Sequence, residues 1–95
     1  MFGLNVTYIM KPGKAGELLE ALAASGVQEE IRAEEGCLQY DFFLPADGSD
    51  KVLLMEKWVS REAQQLHLTQ PHMEKVRTIK PLYVLDTVLE TYDLP

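Results

Sequence analysis

His67 and His72 are the only histidines in a chain of 95 residues. They bracket a predicted junction between two helices. Imidazole is the side chain suited to moving a proton near neutral pH. His67 falls late in a short helix, on the same side as Ala63, so it is placed to point at a sheet. His72 falls in the first turn of the next helix, where the positive end of the dipole favours a neutral ring. Glu56 stands among Leu54, Met55 and Trp58. A carboxylate there is costly unless paired, so it calls for a histidine, tyrosine or lysine partner. Glu56 and Trp58 are two residues apart and share one face of a strand. Trp58 suits the wall of an aromatic pocket, or equally a core position with its indole N–H satisfied. Asn5 lies in a β-rich segment, where asparagine is unfavourable. It reads as a donor to a substrate oxygen or as an edge residue near the terminus. Tyr40, Phe42 and Tyr83 are further candidates to line a pocket, with ordinary core packing as the alternative.

A metal centre is not expected. The two histidines are five residues apart with Pro71 between them, which is not the one-turn spacing of a helical ligand pair. No glycine loop for a cofactor phosphate is present, so the expectation is no cofactor of any kind. The single cysteine, Cys37, begins a strand without an activating base and reads as inert.

The elements that must position these residues are legible from periodicity. Residues 4–10 are β-rich and stop at Lys11-Pro12-Gly13. Ala15, Leu18, Leu19, Leu22 and Ala23 form an apolar stripe at helical spacing over residues 15–24. Ser25-Gly26 interrupts it, and Val27 and Ile31 continue on a rotated face, which predicts a bent or broken helix ending before Gly36. Residues 37–44 alternate, with Leu38, Tyr40, Phe42 and Leu44 on one face. A turn at residues 45–50 leads into a strand at residues 51–59, giving an antiparallel hairpin. Ser60 is an N-cap for a short helix to about Leu68. Thr69 is read as capping another helix, with Pro71 in its first turn and Pro81 as its stop. Residues 82–92 form the last strand. The order β-α-β-β-α-β predicts an α+β, ferredoxin-like split βαβ fold, with an antiparallel sheet and helices on one face, as a single domain over residues 1–95.

Nine Lys and Arg against fifteen Asp and Glu give a net charge of −6. That balance argues against nucleic acid and anionic membrane as partners. Residues 1–20 show no secretory pattern and no apolar run approaches the roughly 20 residues of a membrane span, so the expected location is cytoplasmic. The strand at 51–59 is largely apolar on both faces, and helices cover only one. The uncovered face, with Leu53, Met55 and Val59, predicts a two-fold homodimer packing sheet on sheet.

Several stretches resemble a known family: Tyr8-x-x-Lys11-Pro12-Gly13-Lys14, Arg32 to Asp41 (RAEEGCLQYD), Glu56-Lys57-Trp58, Glu62-Ala63, His67 and Pro71-His72. Together they are similar to the antibiotic biosynthesis monooxygenase (ABM) family of dimeric ferredoxin-like proteins, and most of all to its quinol-monooxygenase-like members. The resemblance spans about residues 4–92. It implies a homodimeric α+β barrel with a pocket in each subunit between sheet and helices. It also implies oxidation of quinols or polycyclic phenols by O2 without metal or flavin. Other members isomerise small sugar-derived signals or degrade haem. The tryptophan and histidine of the haem-degrading members fall at His67 and near Arg77 here, which points away from haem. One fold hosts several chemistries.

Three functions therefore stay open. The first is a cofactor-independent monooxygenase acting on a quinol-like or other small aromatic substrate and O2. In it His67 is the base, Glu56 and Asn5 hold oxygens or the histidine, and Trp58, Tyr40, Phe42, His72 and Tyr83 line the site. The second is an isomerase of a small oxygenated, in some cases phosphorylated, metabolite. The third is a non-catalytic dimeric binding module.

Overall fold

A computed structural model describes all 95 residues. Its elements run β1 (Phe2–Met10), α1 (Ala15–Ser25), α2 (Val27–Arg32), β2 (Cys37–Phe43), β3 (Lys51–Trp58), α3 (Arg61–His67), α4 (Met73–Tyr83) and β4 (Val84–Asp93). The four strands form one sheet in the order β2-β3-β1-β4, and every neighbouring pair is antiparallel. This is the ferredoxin-like arrangement that the order of elements predicts, with β1 at the centre.

Strand alternation divides the sheet into two faces. Phe2, Leu4, Val6, Tyr8 and Met10 of β1 are buried, as are Val52, Leu54, Glu56 and Trp58 of β3 and Tyr40 of β2. Leu18 and Leu22 of α1, Val27 and Ile31 of α2, and Met73 of α4 complete that core. The break between α1 and α2 sits at Gly26, whose φ of +72° is open to glycine at little steric cost.

The other face carries residues from all four strands in register. Lys57, Gly3 and Tyr92 form one row, Asp41, Met55, Asn5 and Glu90 the next, and Phe43, Leu53, Thr7 and Val88 a third. The Tyr92 ring lies so close over Gly3 that a Cβ there would come within 2.4 Å of it.

Three local readings change. Helix α4 runs through Pro81 to Tyr83 instead of stopping at the proline. Its last turn is held from outside, because Lys11 Nζ donates to Leu82 O and the Lys11 N–H donates to Tyr83 O. Those bonds offset the one the proline cannot make. Strand β4 accordingly starts at Val84. In β2 the register shifts between Cys37 and Gln39, so Leu38 is exposed and Cys37 packs toward the core. Thr69 caps no helix. Its hydroxyl donates to Leu66 O, and His72 occupies the position just before α4.

Candidate functional site

Ser60 starts α3 as expected, its hydroxyl accepting the Ala63 N–H at 3.1 Å. This sets the phase of a seven-residue helix whose last residue, His67, faces the sheet and is 2% exposed. The imidazole lies 4.6 Å from Trp58 between ring centroids, tilted by 34°, and 5.9 Å from Tyr40. Its Nδ1 is 2.8 Å from Glu34 Oε2, and His72 Nε2 is 2.8 Å from the same oxygen.

Glu34 reaches the histidines because the turn between α2 and β2 presses against α3. Gly36 makes that approach possible. Its φ is +87°, and a Cβ there would meet Ala63 Cβ and Val59 Cγ2, each at 2.9 Å. Behind His72, Nδ1 lies 3.8 Å from Glu30 Oε2. Glu30 is in turn paired with Lys75, whose ammonium also donates to Ser25 O.

A carboxylate oxygen only accepts, so each imidazole presents an N–H to it. Neutral His67 is then protonated at Nδ1 and carries its lone pair on Nε2. No protein group bonds that Nε2. The only fully buried side-chain polar atom without a partner is Asn5 Oδ1. His67 Nε2 is not among the fully buried atoms, so the small exposed part of the ring, 2% of the residue, includes it.

Trp58 is fully buried and donates its indole N–H to Glu56 Oε1 at 3.0 Å. Burial raises the Glu56 carboxyl above the ordinary carboxylate range, while the Trp58 bond and the nearby His67 pull it back down. Burial likewise pushes the Tyr8 and Tyr40 hydroxyls well above the ordinary phenol value. The Cys37 thiol is pushed up to about 11, first by burial and then by Glu34, which leaves little reactive thiolate. No three His, Cys, Asp or Glu side chains are arranged to hold a metal ion.

The widest cleft, about 480 Å³, lies between α4 and β4 and is lined by Arg77, Lys80, Pro81, Val84 and Asp86 among others. It contains none of the candidate residues. A smaller hollow of about 230 Å³ is lined by Glu34, Glu35, Ala63, Leu66 and Gln70. Of the imidazole cluster only Glu34 lines this second hollow.

Comparison with known proteins places the chain. The description of the family matching residues 1–78 is "Antibiotic biosynthesis monooxygenase". The chain belongs to this family. Among its relatives, "Putative monooxygenase YcnE" of Bacillus subtilis (strain 168) is 32% identical over 74 residues, covering 78% of this chain and 76% of that protein. Protein PA3566 from Pseudomonas aeruginosa superposes with a TM-score of 0.83 at 26% identity, covering 99% of this chain and 94% of that one. Protein SO0527 from Shewanella oneidensis gives 0.82 at 26% identity, covering 96% and 87%.

Within this ABM fold, the residues singled out from sequence fall into two groups. His67, His72, Trp58, Glu56, Tyr40 and Phe42 lie on the helix-covered side; Tyr40 and Phe42 meet edge to face at 5.7 Å. Three expectations need correction. Glu56 is paired with Trp58 on its own strand, not with a histidine, tyrosine or lysine. Asn5 lies on the opposite face of the sheet, between Met55 and Glu90, because odd-numbered β1 residues point away from the helices. Tyr83 ends α4, with its carbonyl bound to Lys11, and takes no part in the imidazole cluster. Trp58 and Tyr40, 0% and 3% exposed, back the imidazole and offer no free ring face in this conformation. Neither His72 nitrogen is open, since one meets Glu34 and the other faces Glu30. The residue missed from sequence is Glu34. Its one visible signal is an acidic pair, Glu34-Glu35, directly ahead of a glycine.

Proposed function

We propose that this ABM-family protein is a cofactor-independent monooxygenase that oxidises a quinol or polycyclic phenol with O2, acting as a cytoplasmic homodimer. The observation that supports the reading is His67: a buried imidazole fixed by Glu34 at Nδ1 and left without a hydrogen-bond partner at Nε2. That is the form of a general base whose imidazolium is stabilised by its own carboxylate.

In the proposed reaction, His67 Nε2 takes the hydroxyl proton of the substrate. The resulting anion passes one electron to O2, giving an aryloxyl radical and superoxide. Their recombination forms a C–O bond, and the His67 proton completes a hydroperoxide. Loss of water, with the hydrogen on the oxygenated carbon, leaves a quinone. One oxygen atom stays in the product and the other leaves as water. Trp58 and Tyr40 keep the imidazole in place and dry, which favours charge stabilisation by Glu34. An isomerase handling a phosphorylated metabolite would want a free cation beside the base. The nearest lysine of the cluster, Lys75, is committed to Glu30.

The dimer is supported by the open sheet face. Phe43 and Val88 are exposed there in a row with Leu53, and such a contiguous patch favours a partner surface. No helix is long and apolar enough to cross a membrane.

The test is oxygen uptake by purified protein across a panel of quinols, anthrones and naphthols, with product identified by mass. Wild type is expected to consume one O2 per quinone formed. His67→Ala should lower turnover by about a hundredfold, the usual contribution of a positioned base. Uptake that is unaltered in His67→Ala, or absent across the panel, would overturn the proposal.

A further inference from the structure

The geometry assigns His72 the role of a positioning residue that acts through Glu34 to keep His67 in the tautomer with a bare Nε2. This deepens the reading of His67 as the base and rests on it for its catalytic meaning, though its structural content stands without any substrate.

Glu34 sits in a turn and carries its carboxylate on a flexible side chain that is 10% exposed. One hydrogen bond to His67 would leave the group free to swing toward water. Were it to swing, His67 would lose the acceptor that holds its proton on Nδ1, and the proton could settle on Nε2, the position that must be empty in a base. His72 closes that route. Its Nε2 meets Glu34 Oε2 at 2.8 Å, from an element separate from the one that carries His67. One oxygen is thus held by two N–H donors arriving from α3 and from the entry to α4.

His72 is itself held firmly. The backbone around it forms consecutive tight turns, with the Met73 N–H donating to Gln70 O, that of Glu74 to Pro71 O and that of Lys75 to His72 O. Pro71, immediately before His72, has its own φ fixed by the pyrrolidine ring. On the far side of the ring, Glu30 lies 3.8 Å from Nδ1 and is anchored by Lys75. Lys75, Glu30, His72, Glu34 and His67 form one continuous series across α4, α2, the turn before β2, and α3. A carboxylate that orients an imidazole is a familiar device. Here the carboxylate is itself oriented by a second imidazole, an outer-shell constraint on the first.

The experiment is nitrogen-15 NMR of the two imidazoles in substrate-free protein, where protonated and bare ring nitrogens are well separated in shift. In wild type at a pH where both rings are neutral, His67 should show a protonated Nδ1 and a bare Nε2. His72→Phe keeps a ring but removes the donor, and should convert the His67 signals to a mixture of both tautomers. His72→Gln returns an N–H donor at similar reach and should restore the wild-type pattern. His72→Ala serves as a second donor-less variant if the phenyl ring is not accommodated. With an active quinol, kcat should fall by about tenfold or more in the donor-less variants with KM little changed, and recover in His72→Gln. A His67 spectrum that stays wild-type in His72→Phe or His72→Ala overturns the assignment. A fixed His67 tautomer in a protein that consumes no O2 would instead sink the monooxygenase reading and leave the positioning role intact.

Discussion

Replacing Trp58 by Phe removes the one hydrogen bond that Glu56 accepts in the interior. Two losses add. A hydrogen bond to a charged group is worth about 1.5–3 kcal/mol, and the carboxylate left behind is buried. Shrinking a fully buried indole to a phenyl ring leaves a gap worth about 1–2 kcal/mol more. The sum, roughly 3–5 kcal/mol, is a large share of the roughly 5–15 kcal/mol that holds an ordinary domain together. The contribution of the charge separates in a double-mutant cycle with Glu56→Gln, which keeps the shape and an acceptor oxygen but carries no charge. In that background Trp58→Phe should cost the packing part plus an ordinary hydrogen bond, a coupling of about 1–1.5 kcal/mol. The pH dependence has a definite sign. Burial raises the Glu56 carboxyl, so the folded protein binds this proton more tightly than the unfolded chain does. Its contribution is fully present below the unfolded carboxylate range and is lost as pH rises through the folded value. Without the indole N–H, which holds the carboxyl down, the folded value climbs further. The deficit of Trp58→Phe should therefore be smaller at pH 5 than at pH 7. Urea unfolding followed by far-ultraviolet circular dichroism is the assay, since Trp58 is the only tryptophan and its fluorescence disappears with it. Equal penalties in both backgrounds and at both pH values would refute the reasoning.

Two other outcomes are expected. Leu53→Asp places a charge in the middle of the open sheet face and should convert the proposed dimer to monomer in sedimentation at micromolar concentration; a wild type that is monomeric there removes the basis for it. Gly3→Ala drives a methyl group into the Tyr92 ring, and because that ring can be displaced from its place over β1, the expected cost is about 1–3 kcal/mol in thermal unfolding, with no change if Tyr92 is already mobile.

The helix and strand order was readable because each element carries a strong period. The apolar stripe of α1, the β-rich runs of β1 and β3, and the Ser60 cap each act locally and need no partner to be recognised. The misread places are those where distant chain decides. Pro81 is a helix stop by its own chemistry, but Lys11, seventy residues earlier, supplies bonds that keep the turn going. The extra residue near Leu38 is set by pairing with β3 and leaves no mark on composition. In the site, residue type pointed to His67, and the pattern of apolar neighbours pointed to Glu56. Nothing local separates Asn5 from Trp58; that they lie on opposite faces follows from the Phe2–Trp58 register, a pairing across more than fifty residues of chain. Glu34 was out of reach, because its importance comes from a turn pressed against a helix 33 residues away.

The central place of β1 has a bearing on how the chain comes to be folded. Of the four strands of this sheet, the first to leave a ribosome is one that needs two later neighbours. Leu4 and Val6 pair with Glu56 and Leu54 on one side and with Thr91 and Leu89 on the other. At about 5–20 residues per second, several seconds separate the synthesis of β1 from that of its last partner. Through that interval a sticky apolar ribbon with two unsatisfied edges waits beside whatever α1 can cover. The high sequence separation of these pairings also slows closure relative to a helical bundle of the same length. Crowded synthesis is thus the moment of greatest exposure for this fold, and the arrival of β4 is what ends it.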